Sequence, residues 1–251
     1  MASFIPSPAL ICATILAGVY DVNRNEKIGD DEFKRIEGWY ESVIGLGLHG
    51  VVFHNTFSAA TIARHRHPLI QFVEVAYDQS LNPNVFRYLI YQDFLAQYAS
   101  EVKHLFVTDI SDVVVLCNPF VQSLWLAHPD ALFCGDELAV LDNEWMRHHS
   151  THLRNSIADF GAYEQQHQAD TLLNCGIIGG SVRVMRSLMD ELSRIHRTYT
   201  THNQTPCTLD MGAFNYVART QFGDRLHHGA PVNTLFKQYE TQRMDCWFRH
   251  K

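Results

Sequence analysis

The stretch LFVTDISDVVVLCNPF, residues 105–120, holds two apolar runs with a pair of carboxylates between them. Leu105 to Val107 ends in Thr108, Asp109 and Asp112; Val113 to Leu116 follows, and Asn118-Pro119 stops it. A short β-branched run bounded by turn formers predicts a strand buried on both faces. In an open α/β sheet, ligands bind beyond the carboxyl ends of the strands, where these acids would lie. Two carboxylates brought close there repel unless a hard cation or a proton sits between them. The stretch therefore has the physical content of a DxD-type metal site.

Upstream, Ala9 to Gly18 predicts a first buried strand, and Tyr20-Asp21-Val22-Asn23-Arg24 a polar loop after it. In a nucleotide-binding α/β fold that loop touches the ligand, which makes Tyr20 and Asn23 candidate contacts. Asp30 or Asp31 can cap a helix running to about Ile44. A strand (50–55), a helix (56–66) and a strand (69–76) come next. Alternating strands and helices mean βαβ units and a mostly parallel sheet. No GxGxxG and no GxxxxGK[ST] is present, which argues against a dinucleotide fold or a P-loop enzyme. Residues 82–101 predict a helix buried along Phe86, Leu89, Ile90, Phe94 and Tyr98, with Arg87 and Tyr91 projecting elsewhere. An arginine near a helix N-terminus gains nothing from the helix dipole, so Arg87 calls for a carboxylate or phosphate partner.

Downstream, residues 131–137 predict a strand ending in Gly135-Asp136-Glu137, and 138–170 an insertion of helices and loops over the site. Asn174-Cys175-Gly176 reads as a turn that lets backbone approach a ligand closely, before a short strand and an amphipathic helix from about Ser181. Residues 205–220 predict a turn and then a helix with Asp210 at its start; His227 and His228 fall in a loop before Gly229 and Pro231.

The composition fits this outline. The chain has 251 residues, 46% hydrophobic and 19% charged, enough for one large α/β domain with a substantial core. A net charge of -7 offers no basic surplus for nucleic acid, yet a small phosphorylated ligand with a bound cation remains compatible. Six scattered cysteines without a CxxC pair predict a reducing compartment, no disulfides and a cytoplasmic location. The apolar N-terminus has no Lys or Arg before Arg24 and two prolines within it, so it reads as a strand rather than a signal or membrane span.

In their order along the chain these motifs resemble the GT-A class of nucleotide-sugar glycosyltransferases, nearest the group of glycogenin and the bacterial lipopolysaccharide galactosyltransferases. Phe86-Arg87-Tyr88-Leu89 is similar to the family's YxRL helix, and Leu173-Asn174-Cys175-Gly176 to its FNAG turn. Asp210 to Asn215 resembles DQDxLN, and His228-Gly229 with Pro231 resembles HxxGxxKPW. The acidic motif here is DxxD, and Met211 replaces a glutamine, which leaves retention or inversion open.

The resemblance implies a single GT-A-like, Rossmann-related α/β domain with a mixed, mostly parallel sheet flanked by helices. It also implies transfer from a nucleoside diphosphate sugar, a UDP-sugar above all, to a hydroxyl of a glycan, glycoprotein or glycolipid. Mn²⁺ or Mg²⁺ would be held by Asp112, Asp109 (or Asp109 on the ribose) and His228, and an imidazole favours Mn²⁺. Arg87 would meet the diphosphate or donor sugar, while Asn174, beside Gly176, and Asp210 would hold sugar hydroxyls. For an inverting reaction the general base would come from Asp136, Glu137 and Asp210. A non-catalytic nucleotide-sugar or glycan binder of the same fold is the alternative reading.

Overall fold

Runs of Val, Ile, Leu and Phe too short for helices make the strands here. The computed structural model describes residues 7–18, 20–21, 26–199 and 210–251. Its strands are β1 (Ala9–Ile15), β2 (Tyr20–Asp21), β3 (Glu26–Lys27), β4 (Gly50–His54), β5 (Ile70–Glu74), β6 (His104–Thr108), β7 (Val113–Val115), β8 (Leu132–Val140), β9 (Thr171–Ser181), β10 (Leu226–His228) and β11 (Phe248–His250). Its α-helices are α1 (Glu37–Gly45), α2 (Ala59–Arg64), α3 (Pro83–Tyr98), α4 (Ser123–Ala127), α5 (Glu144–His149), α6 (Thr151–Ser156), α7 (Phe160–His167), α8 (Val182–Tyr199) and α9 (Asp210–Phe222).

Seven strands form one sheet in the order β10-β8-β9-β6-β1-β4-β5. β1 runs parallel to β4 and β6, β4 to β5, and β10 to β8. Only β9 among them runs the other way, antiparallel to both β6 and β8. The sheet is thus mixed and mostly parallel, and helices flank it. Along β1 successive side chains alternate between two apolar layers, Leu10 and Cys12 into one, Ile11 and Ala13 into the other. The first layer includes buried residues of α3, α8 and α9; the second includes Trp39, Val43, Trp125, Trp247 and Phe248.

The chain leaves β1 for β4 and β5 on one side, then returns through α3 to β6 on the other. The segments after β1 and β6 therefore diverge, and the gap between them is the switch point where open α/β sheets bind ligands.

Several local expectations are corrected. Asp31 does not cap the helix that follows it. Its carboxylate accepts from the backbone N–H and the hydroxyl of Ser58, the N-cap of α2, at 2.9 and 2.8 Å. Helix α3 is buried more widely than expected: Arg87, Tyr88, Tyr91 and Leu95 are all enclosed, because the helix packs along α8 within the same apolar layer. Asn174-Cys175-Gly176 is not a turn; it lies within the eleven-residue strand β9. His227 and His228 are in the edge strand β10, paired with Phe133 and Cys134, rather than in a loop. The segment 138–170 completes β8 and then forms α5, α6 and α7. Among the described residues there is no disulfide, and no helix is long and apolar enough to cross a membrane.

Candidate metal centre and its pocket

β6 ends at Thr108, whose hydroxyl accepts from Trp39 Nε1 of α1 at 2.8 Å. That buried bond fixes the strand end immediately before Asp109. The backbone N–H of Asp109 donates to Gly176 O of β9 at 2.7 Å, so the sheet pairing continues into the acidic loop. Beyond the loop, β7 leaves the main sheet and pairs antiparallel with β11, His250 opposite Val113. This pairing carries the C-terminal strand back to the acids. Ligand atoms of Asp109, Asp112 and His250 lie within 4.8 Å of one another. His250 Nε2 is 3.7 Å from Asp109 Oδ2 and 3.9 Å from Asp112 Oδ1. Its ring is buried against Phe236, centroid to centroid 4.3 Å.

The expected third ligand, His228, is elsewhere. Its Nδ1 is 3.0 Å from Asp136 Oδ2 at the β8–β10 edge, and it is outside the Asp109–Asp112–His250 group. The histidine that joins the aspartates is His250, which the sequence reading missed. The available signal was the short apolar run Cys246 to Phe248 after a polar stretch, with His250 two residues on and so on the same strand face as Phe248.

Arg87 finds the carboxylate partner expected of it, and a second one. Its Nη1 donates to Asp109 Oδ1 at 2.5 Å, its Nη2 is 3.4 Å from Asp210 Oδ2, and its Nε donates to Asn84 O at 3.0 Å. Burial opposes its charge, but Tyr88, Asp109, Cys175 and Asp210 around it outweigh that and hold the guanidinium protonated. Asp109 thus has one oxygen turned to Arg87 and the other toward His250. Cys175 completes the floor, its Sγ 3.3 Å from Asp210 Oδ2, and burial pushes its thiol well up. Asp210 itself is set by α9, whose buried Asn215 bonds both the N–H and the C=O of Leu173 on β9 at 2.9 Å.

β9 is bent for this purpose. Between Cys134 and Gly135 of β8 the partner on β9 jumps from Ile178 to Asn174, so residues 175–177 bulge from β8 while still following β6. Bulges of this kind re-aim side chains beside binding sites. Gly176 sits at the tightest point. A Cβ there would meet His250 Cε1 at 2.4 Å and Asp109 Oδ2 at 2.7 Å.

Asp109, Asp112, Arg87, Cys175, Gly176 and Asp210 line one pocket of about 600 Å³, with His250 buried behind the acids. Its wall includes Thr14 to Leu16 at the end of β1, Asp109 to Asp112 after β6, and Asn174 to Gly176 of β9. Glu137, Ala139, Asn143, Trp145 and Met211 also line it, and Arg35, Lys237 and Lys251 add cationic groups. Of the expected general bases, Glu137 lines the pocket and takes a bond from Asn174 Nδ2 at 2.7 Å. Asp210 lines it too, clamped by Arg87, whereas Asp136 is turned to His228. Asn23 and the side chain of Tyr20 lie outside the described residues.

Two carboxylates and a buried imidazole, converging beyond a strand end, could hold a metal ion. Such a group beside a large pocket at a switch point defines an α/β protein with a candidate metal site. No model of a known protein family matches the chain, and no curated protein matches it.

Proposed function

We propose that the protein is a divalent-metal-dependent glycosyltransferase of the GT-A class, moving a sugar from a nucleoside diphosphate sugar, expected to be a UDP-sugar, to an acceptor hydroxyl of a glycan or glycoconjugate. The observation that carries this reading is the Asp109–Asp112–His250 group at the switch point of a mixed, mostly parallel sheet, its two aspartates lining a pocket with lysines on its wall. The sequence resemblance is compatible with that sheet, and its DxD motif has a DxxD counterpart here in Asp109 and Asp112.

Asp112, Asp109 and His250 would hold the cation, which supplies Lewis-acid stabilisation of the departing diphosphate. Lys237 and Lys251 stand where they can meet phosphate charge. Arg87 has the role of positioning Asp109 and Asp210, since its donors are directed to them and to Asn84. Glu137 is the carboxylate best placed to take a proton from an acceptor: it lines the pocket, and Asn174 fixes one of its oxygens.

The test is donor hydrolysis and nucleotide binding. Wild type with Mn²⁺ should be stabilised against heat by UDP and should slowly hydrolyse a UDP-sugar; Asp112→Ala should do neither. Equal hydrolysis by both proteins would sink the metal assignment.

A further inference from the structure

The strand order lays out more than a metal site. From the acids at the end of β6, the next strand across the sheet is β9, with Asn174 to Gly176, and the one after is β8, with Glu137 and Ala139. Adjacent strands are about 4.8 Å apart, so the β8 wall lies roughly 10 Å from the acids, about the width of one hexose beyond a phosphate. Beyond β8 the chain turns into α5, and Trp145 at its start joins the pocket wall.

Trp145 is held like a platform. One face of its indole stacks on His149, centroids 4.0 Å apart and planes 26° from parallel. His149 Nδ1 is 2.7 Å from the backbone O of Trp145, which locks the imidazole under the ring one helical turn on. Asn143 secures the start of the helix, accepting from Met146 N at 2.9 Å and donating to Val140 O at 2.7 Å. Trp145 is nonetheless 41% exposed. An indole with one face covered, 41% exposure and a place in the pocket wall leaves the other face to a ligand. The core layers do not use it, and Trp39, Trp125 and Trp247 are all buried.

We propose that Trp145 is the acceptor platform, and that the acceptor presented to it is a saccharide, whose ring carries axial C–H groups on one face and hydroxyls around its edge. The C–H face stacks on the indole while the edge hydroxyls point at Glu137. A rigid aromatic surface beside a fixed carboxylate suits that mixture. The inference rests on the transferase reading for the role of acceptor, but saccharide binding at Trp145 can be measured without turnover.

Calorimetric titration of the full chain with Mn²⁺ and UDP present, using lactose, maltose, cellobiose and chitobiose as probes, tests it. At least one disaccharide should bind wild type. Trp145→Phe should bind it within a few-fold, and Trp145→Ala about tenfold more weakly or not at all. UDP- and Mn²⁺-dependent thermal stabilisation should be the same in all three, which also shows that the variants fold. Equal disaccharide affinity in wild type and Trp145→Ala overturns the platform, as does binding of no disaccharide by a wild type that hydrolyses a UDP-sugar. Loss of the transferase reading has a separate signature: no response to UDP with Mn²⁺ in any of the proteins.

Discussion

Two aspartate–histidine groups belong to this sheet, one beyond the end of β6 and one within the β8–β10 edge, and they differ in what surrounds them. At β6, Asp109 and Asp112 line a 600 Å³ pocket and meet His250, which is buried behind them. At the β8–β10 edge, Asp136 meets His228 alone, at 3.0 Å, with Gly229 folded against the carboxylate. One carboxylate with one imidazole satisfies itself as a hydrogen-bonded pair. Two carboxylates with one imidazole leave an excess of negative charge that a cation can neutralise. The residue types are the same; their number and their access to a pocket separate a candidate catalytic centre from a structural clasp.

The sharpest break between the two would come from their aspartates. Asp112→Ala should lower Mn²⁺-dependent UDP-sugar hydrolysis about 100-fold or more, while Asp136→Asn should leave it within a few-fold, by product assay at saturating metal. The histidines come next. His250→Ala should weaken Mn²⁺ binding by roughly 10-fold to 100-fold in calorimetry. His228→Ala should leave that affinity unchanged and cost a few degrees of thermal midpoint. If His228 proves the stronger metal determinant, the comparison is reversed.

The glycines give a smaller contrast. Gly176→Ala puts a Cβ against His250 and Asp109 and should reduce Mn²⁺ affinity about tenfold by displacing both. Gly229, at φ 69° and with a Cβ that would meet Asp136 Oδ2 at 2.4 Å, should on substitution by alanine lose about 1 kcal/mol of stability with the metal affinity intact.

Acid should destabilise the fold through a buried histidine of α8. His196 stacks on Tyr88, next to Arg87, and burial lowers it from 6.5 to about 4. An unfolded chain binds that proton from pH 6.5 downward and the folded one does not, so stability falls as pH drops through this window. At pH 5.5 the loss is about 1 kcal/mol, and His196→Phe should remove that part of the slope in thermal melts.

What the sequence determined by itself was local. The β-branched run before Asp109 made a strand end in acids, Asn82-Pro83 opened α3, and Arg87 near its start required an anionic partner, because these follow from neighbours along the chain. The tertiary structure decided which histidine serves the acids. That depends on the β7–β11 register, which sets His250 opposite Val113 from the far end of the chain, and no local period encodes it. It likewise turned Asn174-Cys175-Gly176 from a turn into a bulged strand, since β9 must follow β6 while parting from β8. Side-chain chemistry was legible in order; its assembly waited on pairings whose partners are far apart in sequence.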